Sequence, residues 1–325
     1  MHIPNEADLA RELELADHAL SSLVGEDVDA IFINSVETEE APFLARIVSK
    51  LSPMVGNLME QRIASTLSRH AGDGYEWVRQ DPGFPDAVLR DSETHEIYAG
   101  YEIKAWYVMS TEITGRFRES LNLLQGKNVN VVIVAWCMSN LILGQPKVLG
   151  MLTVSGEELA SSRDTHYHQP PRYLTIEPND TTDRTRNLQQ SNVNGYKLQE
   201  KESEEVNPSA LADALTRTYT DQAPHTPQAQ AEAAELMRDL SYRLDTNFAK
   251  IDRVDNDVVE DFKSRIMRSA YLGRTIKDWK DVFSDLTKAD DGKRASAEET
   301  IKGLYDDMLV AEPKTAIQLE STDAH

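Results

Sequence analysis

Between Val129 and Met138 the chain carries ten residues of which only Asn130 is polar. A helix needs about twenty apolar residues to cross a bilayer, so a run of this length reads as a buried strand. Its near-unbroken hydrophobicity implies cover on both faces, which any fold of this chain has to supply. At 325 residues there is enough chain for one large core, or for one core with a smaller helical domain beside it. The single cysteine, Cys137, lies inside the run, excludes an intrachain disulfide and reads as a small buried hydrophobe. The first twenty residues have no basic start leading into an apolar block, so the expectation is a cytoplasmic protein with no membrane partner.

The flanking pattern supplies candidate cover. Glu6 to about Leu23 reads as a helix, Ala30–Ile33 as a short apolar segment and Thr38–Leu51 as a second helical stretch. Ser52-Pro53 has the form of a helix start, with serine as cap and proline in the first turn. The apolar residues Val55, Leu58, Met59, Ile63 and Leu67 then follow a 3.6-residue period up to the Gly72-Asp73-Gly74 turn cluster. Three strand-like runs come next, Tyr75–Arg79, Asp86–Arg90 and Glu96–Met109, with Asp91–Thr94 as the polar turn of a hairpin. Thr111–Leu124 reads as an amphipathic helix and Val148–Val154 as a further strand. Helix, three strands, helix, strand, with at least one crossover, makes an α/β layered core.

Beyond that core the character changes twice. Ser161 to about Pro208 is polar, with Pro170-Pro171 and many Asn, Gln, Thr and Arg. Then Met237, Leu240, Leu244, Phe248, Ile251, Val254, Val258 and Phe262 recur every three or four residues, which predicts a long helical packing stripe. A stripe of that length also suits pairing between subunits. The resulting division is a helical lead-in (1–52), a core (53–160), a polar segment (161–207), a mainly helical C-terminal region (208–312) and a frayed tail (313–325).

Within the core, one stretch carries chemistry. Residues two apart on a strand share a face, so Glu102 and Lys104 project together while Ile103 points into apolar cover. If the preceding strand pairs with this one, Asp86 at its start lies beside Glu102. Two carboxylates held close repel unless a cation sits between them, and hard oxygen donors of this kind suit Mg²⁺. Lys104 would then orient or deprotonate a water for attack on phosphorus. Plainer roles exist: Asp86 as a turn cap after proline, Glu102 and Lys104 as an exposed ion pair on a half-solvated strand. Tyr101, Ile103, Ala105 and Trp106 imply a mostly buried strand, where charges without a partner would be costly.

Pro85-Asp86, a gap of fifteen residues and then Glu102-Ile103-Lys104 resembles the signature of the PD-(D/E)xK nuclease superfamily, which includes most type II restriction endonucleases. The order of elements over roughly residues 53–140 is similar to that family's core, a mixed central sheet flanked by helices. Gly56-Asn57-Leu58-Met59-Glu60 looks like the family's additional helical carboxylate, which makes Glu60 a candidate to complete the metal site. Its plainer role is a solvated helix-face carboxylate, and Glu76 is a weaker candidate. The resemblance implies Mg²⁺-dependent hydrolysis of double-stranded DNA at a short specific site and action as a homodimer; whether a companion DNA methyltransferase acts on the same site is left open by the sequence.

Charge tests this expectation. The net charge is −21, and a uniformly acidic surface would oppose phosphate. The charge is unevenly spread: Lys104 to Lys197 holds ten Lys and Arg against eight Asp and Glu, while the remainder is strongly acidic. Arg116 and Arg118, beside the trio, are candidate phosphate contacts. The tract Arg184, Arg186, Asn187, Gln189, Gln190 and Asn192 has the side chains that read guanine and adenine edges, or it is a polar surface connection. His166 and His168 are weak candidates for metal, lacking a third ligand nearby. Two rivals stay open: a structure-specific or repair nuclease of the same fold, and a non-catalytic acidic DNA mimic.

Overall fold

The apolar run is the interior of a strand, and every residue from Val131 to Met138 is at most 1% exposed. The computed structural model describes residues 6–29, 31–34, 41–80, 83–110, 112–166, 173–177, 195–199, 242–244 and 249–311. Five strands make the central sheet in sequential order: β1 (Tyr75–Arg79), β2 (Ala87–Asp91), β3 (Ile97–Tyr107), β4 (Asn128–Asn140) and β5 (Leu143–Ser155). β3 and β4 are parallel and the other pairs antiparallel, so the sheet is mixed, with its one crossover between β3 and β4. The β2–β3 turn forms where expected. Asp91 Oδ1 accepts from the backbone N–H groups of Glu93 and Thr94 at 2.8 and 2.7 Å, fixing the chain reversal.

Cover comes from both faces, as the hydrophobicity of β4 requires. On one face lie α1 (Glu6–Ser22) and α2 (Ala41–His70). Gly56 of α2 lies over Ala105, where an added Cβ would make ordinary contact with the alanine methyl at 3.7 Å. Tyr101 stacks on Trp77 at 4.8 Å, and its hydroxyl donates to Asp17 of α1. On the other face α4 (Gly156–His166) and α5 (Asp257–Arg268) lie against the sheet. Trp106 of β3 meets Phe262 of α5, and Gly150 of β5 leaves room for Ile266. Alternate residues of β3 therefore face opposite helical layers, and the fold is α/β. Upstream of α2, Gly25, Glu26, Val28 and Ile33 lie beside β5 and share backbone hydrogen bonds with Gly144, Pro146 and Val148.

Several elements differ from the sequence reading. Ser52-Pro53 does not start a helix; α2 runs through it for thirty residues, so the division at 52/53 falls inside one element. Interior proline costs about 3 kcal/mol or more. Val48, Val55, Met59, Ile63 and Leu67, each at most 1% exposed, offset that by packing into the core. Thr111–Leu124 is not a helix either: only Leu121–Leu124 is helical (α3), and residues 112–120 form an irregular strap. Tertiary hydrogen bonds hold the strap open, with Phe117 N–H donating to Ala249 O and Ile251 N–H to Gly115 O. Ile113, Thr114 and Gly115 offer little helical propensity to resist them.

The C-terminal stripe is likewise not one helix. Tyr242–Leu244 is a strand (β8), paired with β7 (Gly195–Gln199), which pairs in turn with β6 (Tyr173–Glu177). Ile251–Arg253 is a 3₁₀ turn, and α5 begins only after Asn256, whose Oδ1 accepts from Val258 and Val259 N–H at 3.1 Å. The cap sets the start of that helix, and Ile251, Val254 and Phe262 are buried from separate elements. With the stripe broken, the argument for subunit pairing along it loses its basis. Helices α6 (Ile276–Asp285) and α7 (Asp291–Ala311) follow, giving the mainly helical C-terminal end. Residues 313–325 lie outside the described residues. No helix among the described residues is long and apolar enough to cross a membrane.

Candidate active site

Register brings the predicted trio together. Ala87 pairs with Tyr101 as the last rung of the ladder, so Asp86, one residue beyond it, reaches the Ile103 backbone N–H of β3 with its side chain. Asp86 Oδ2 accepts from Ile103 N–H at 2.6 Å, taking the place a further ladder carbonyl would fill. On the face opposite Ile103, Lys104 Nζ donates to Glu102 Oε1 at 2.5 Å and to the Ile103 carbonyl at 3.1 Å. The same ammonium lies 3.7 Å from Asp86 Oδ2. The three side chains are 14–18% exposed, so one buried cation serves two buried carboxylates.

The turn before Asp86 is fixed by close contact with β3. A Cβ added to Gly100 would come 2.1 Å from Pro85 Cγ and 3.2 Å from the Ala87 carbonyl. Gly100→Ala is therefore expected to destabilise the protein by about 1–3 kcal/mol through overpacking. Thermal denaturation checks it, and a parent-like melting temperature would show that the Pro85 turn yields without cost.

Burial pushes the Glu102 carboxyl up to about 7; the Lys104 ammonium pulls it down, while Asp86 and Glu119 add to the upward shift. For Lys104 the two carboxylates outweigh burial, which alone would lower it, and the amine stays protonated. Glu60 of α2 joins the same field. Its carboxyl is raised by burial and then by the Asp86 charge, against the Arg79 guanidinium that donates to it at 3.1 Å and against Lys104. Below its ordinary value of 4.5 Glu102 is protonated in both folded and unfolded chains; between 4.5 and about 7 only the folded chain keeps the proton. The stabilisation from that proton is thus full below pH 4.5 and lost as pH rises through about 7. Urea denaturation of the metal-free protein should show the parent losing stability relative to Glu102→Gln across this window, and parallel profiles would refute it.

Beside the trio is an open cavity of about 320 Å³ lined by Glu102, Lys104, Thr114, Arg116, Arg118 and Glu119. Gly115 of the strap lies against Lys104, since a Cβ there would be 3.2 Å from the lysine's. Arg116 and Arg118 reach the cavity together because the strap is extended; on a helix, residues two apart point to nearly opposite sides. Glu119, 5% exposed, also lines the cavity, which a helix over Thr111–Leu124 gives no reason to expect. Glu76 pairs with Arg90 at 2.7 Å. The side chain of His166 and all of His168, Arg184, Arg186, Asn187, Gln189, Gln190 and Asn192 lie outside the described residues.

The donor set is compatible with a hard divalent ion. Asp86 and Glu102 converge on one positive centre, and the pressure on Glu102 to stay protonated is what a cation would relieve. No group of three or more His, Cys, Asp or Glu side chains able to hold a metal occurs among the described residues. A cation at Asp86 and Glu102 would thus need waters and substrate oxygens to fill its shell, the habit of Mg²⁺. Comparison with protein-family models, with curated proteins and with solved structures returned no match to this chain.

Proposed function

We propose that the chain is a Mg²⁺-dependent endonuclease that hydrolyses phosphodiester bonds of double-stranded DNA, built on a restriction-endonuclease-like core. The observation that carries the reading is the meeting of Asp86, Glu102 and Lys104 at the end of the β2–β3 ladder, beside a cavity walled by two arginines. The resemblance of Pro85-Asp86 and Glu102-Ile103-Lys104 to the PD-(D/E)xK signature supports it, as does the helix–strand–strand–strand order leading into the trio.

Asp86 and Glu102 would hold the cation, with Glu60 acting on it through water. When bound, Mg²⁺ supplies charge neutralisation at the scissile phosphate and acidifies coordinated water. Lys104 holds its ammonium where an attacking water is oriented and where negative charge accumulates on phosphorus. Arg116 and Arg118 receive phosphate oxygens from the open side of the cavity and set the register of the strand. Recognition of a short specific site, the type II restriction role, rests on Arg184, Arg186, Asn187, Gln189, Gln190 and Asn192 reading base edges. A homodimer and a companion methyltransferase of the same specificity belong to that role.

The test is incubation of the purified protein with unmethylated phage DNA, with and without Mg²⁺, across a salt series. Discrete fragments that require Mg²⁺ are the expected result. Smearing with the same requirement would keep the nuclease and remove site specificity. DNA left intact at every salt concentration would reject the reading in favour of a branched-DNA nuclease or an acidic DNA mimic. The mimic has the net charge of −21 in its favour, but no use for a lysine buried between two carboxylates.

A further inference from the structure

Arg163 is fully buried on α4, yet it does not line the cavity. Its Nη1 donates to the Phe117 carbonyl at 2.8 Å and its Nη2 to the Glu119 carbonyl at 2.9 Å. Burying a guanidinium is costly, and an apolar side chain would occupy the same space without that cost, so its presence calls for a role. The carbonyls it serves are alternate ones on the strap. Arg118 lies between them, Glu119 carries the second and Arg116 immediately precedes the first, and all three line the cavity. The strap is also tied by Phe117 N–H to Ala249 O at 2.8 Å and by Ile251 N–H to Gly115 O at 3.0 Å. Phe117 itself, 1% exposed, anchors the middle. A planar two-nitrogen fork can hold two carbonyls of an extended segment at once, and a lysine ammonium cannot reproduce that geometry.

We infer that Arg163 is a positioning residue, fixing the rotation of residues 115–119 so that Arg116 and Arg118 face the Glu102–Lys104 cavity and can take a nucleic-acid backbone. The inference rests on the reading of that cavity as a phosphate site. Arg163 touches no reacting atom, so its loss should act on binding and leave the chemical step to the trio.

The experiment compares Arg163→Lys and Arg163→Met with the parent in the full chain. Amide hydrogen exchange reports the strap, and binding of a short DNA duplex is measured in a Lys104→Ala background across a salt series. Expected are faster exchange confined to residues 112–120 and duplex binding weaker by about tenfold in the lysine variant and about a hundredfold in the methionine variant. The salt dependence of binding should become shallower as phosphate contacts are lost. With Lys104 intact, KM should rise while kcat stays within about twofold of the parent. Unchanged exchange and affinity would overturn the inference, and so would loss of protection throughout the sheet in both variants, which marks a residue of the fold alone. A loosened strap in a protein whose parent neither binds nor cuts DNA would support the hold on the strap and overturn the nuclease reading.

Discussion

Lys104→Ala is expected to lower the rate of DNA cleavage by about 10²–10⁴-fold, the usual weight of one group in proton transfer or charge stabilisation at the reacting centre. The loss has a second origin in the folded state. Asp86 and Glu102 share this ammonium, at 3.7 and 2.5 Å, and removing it leaves two buried carboxylates facing each other. Stranding one member of a buried ion pair costs about 3–5 kcal/mol. Glu102, already raised by burial, would escape that cost by keeping its proton to higher pH. The variant should therefore be destabilised most in alkaline buffer and least near pH 6, where activity can be compared between folded proteins. Lys104→Met, which fills the same space, separates lost charge from lost volume. Cleavage at the parental rate by a folded Lys104→Ala protein would sink the assignment of the trio.

Trp136→Ala should cost about 3–5 kcal/mol, a large share of the 5–15 kcal/mol that holds a domain together. Trp136 is fully buried in β4, and its ring lies 4.7 Å from that of Tyr107 on the parallel neighbour β3. The cavity left by alanine would open between the two strands whose pairing carries Glu102 and Lys104. The indole Nε1 has no hydrogen-bond partner among the described residues, so phenylalanine forfeits only volume there. Urea denaturation should rank parent, Trp136→Phe and Trp136→Ala in falling order of stability, with the alanine variant set well apart. An alanine variant within about 1 kcal/mol of the parent would mean that this part of the core collapses around the gap.

How much of this was legible in the sequence follows from the range of the forces involved. Strand alternation and the apolar run act over a few residues, and they placed β1 to β4 to within two residues at each end, while β5 begins at Leu143, five residues before the expected Val148. The trio was legible for the same reason, since Glu102 and Lys104 share a face by the pleat alone. Asp86 needed only a hairpin to bring it alongside. What failed depended on partners far away in the chain. The strap is held by Ala249, Ile251 and Arg163, and nothing within residues 111–124 announces those contacts. Pro53 was read as a boundary because the packing that carries α2 through it comes from the sheet. The break in the C-terminal stripe was visible in principle: Asn256, ahead of Asp257 and Val258, has the form of a cap, but the periodicity of the apolar residues masked it.

The contacts of Gly25, Glu26, Val28 and Ile33 with β5 have a consequence for how copies of this chain can meet. β5 is an outer strand of thirteen residues, and a bare outer strand is a template on which another chain can extend the sheet. Gly25 and Val28 donate to the carbonyls of Val148 and Pro146, Val148 donates to Glu26, and Ile33 and Gly144 exchange both bonds. The first half of β5 is thereby already spoken for from within the molecule. Two sheets cannot be joined across Gly144–Val148 while these bonds stand, because the backbone groups that would pair the copies are already satisfied from within the molecule.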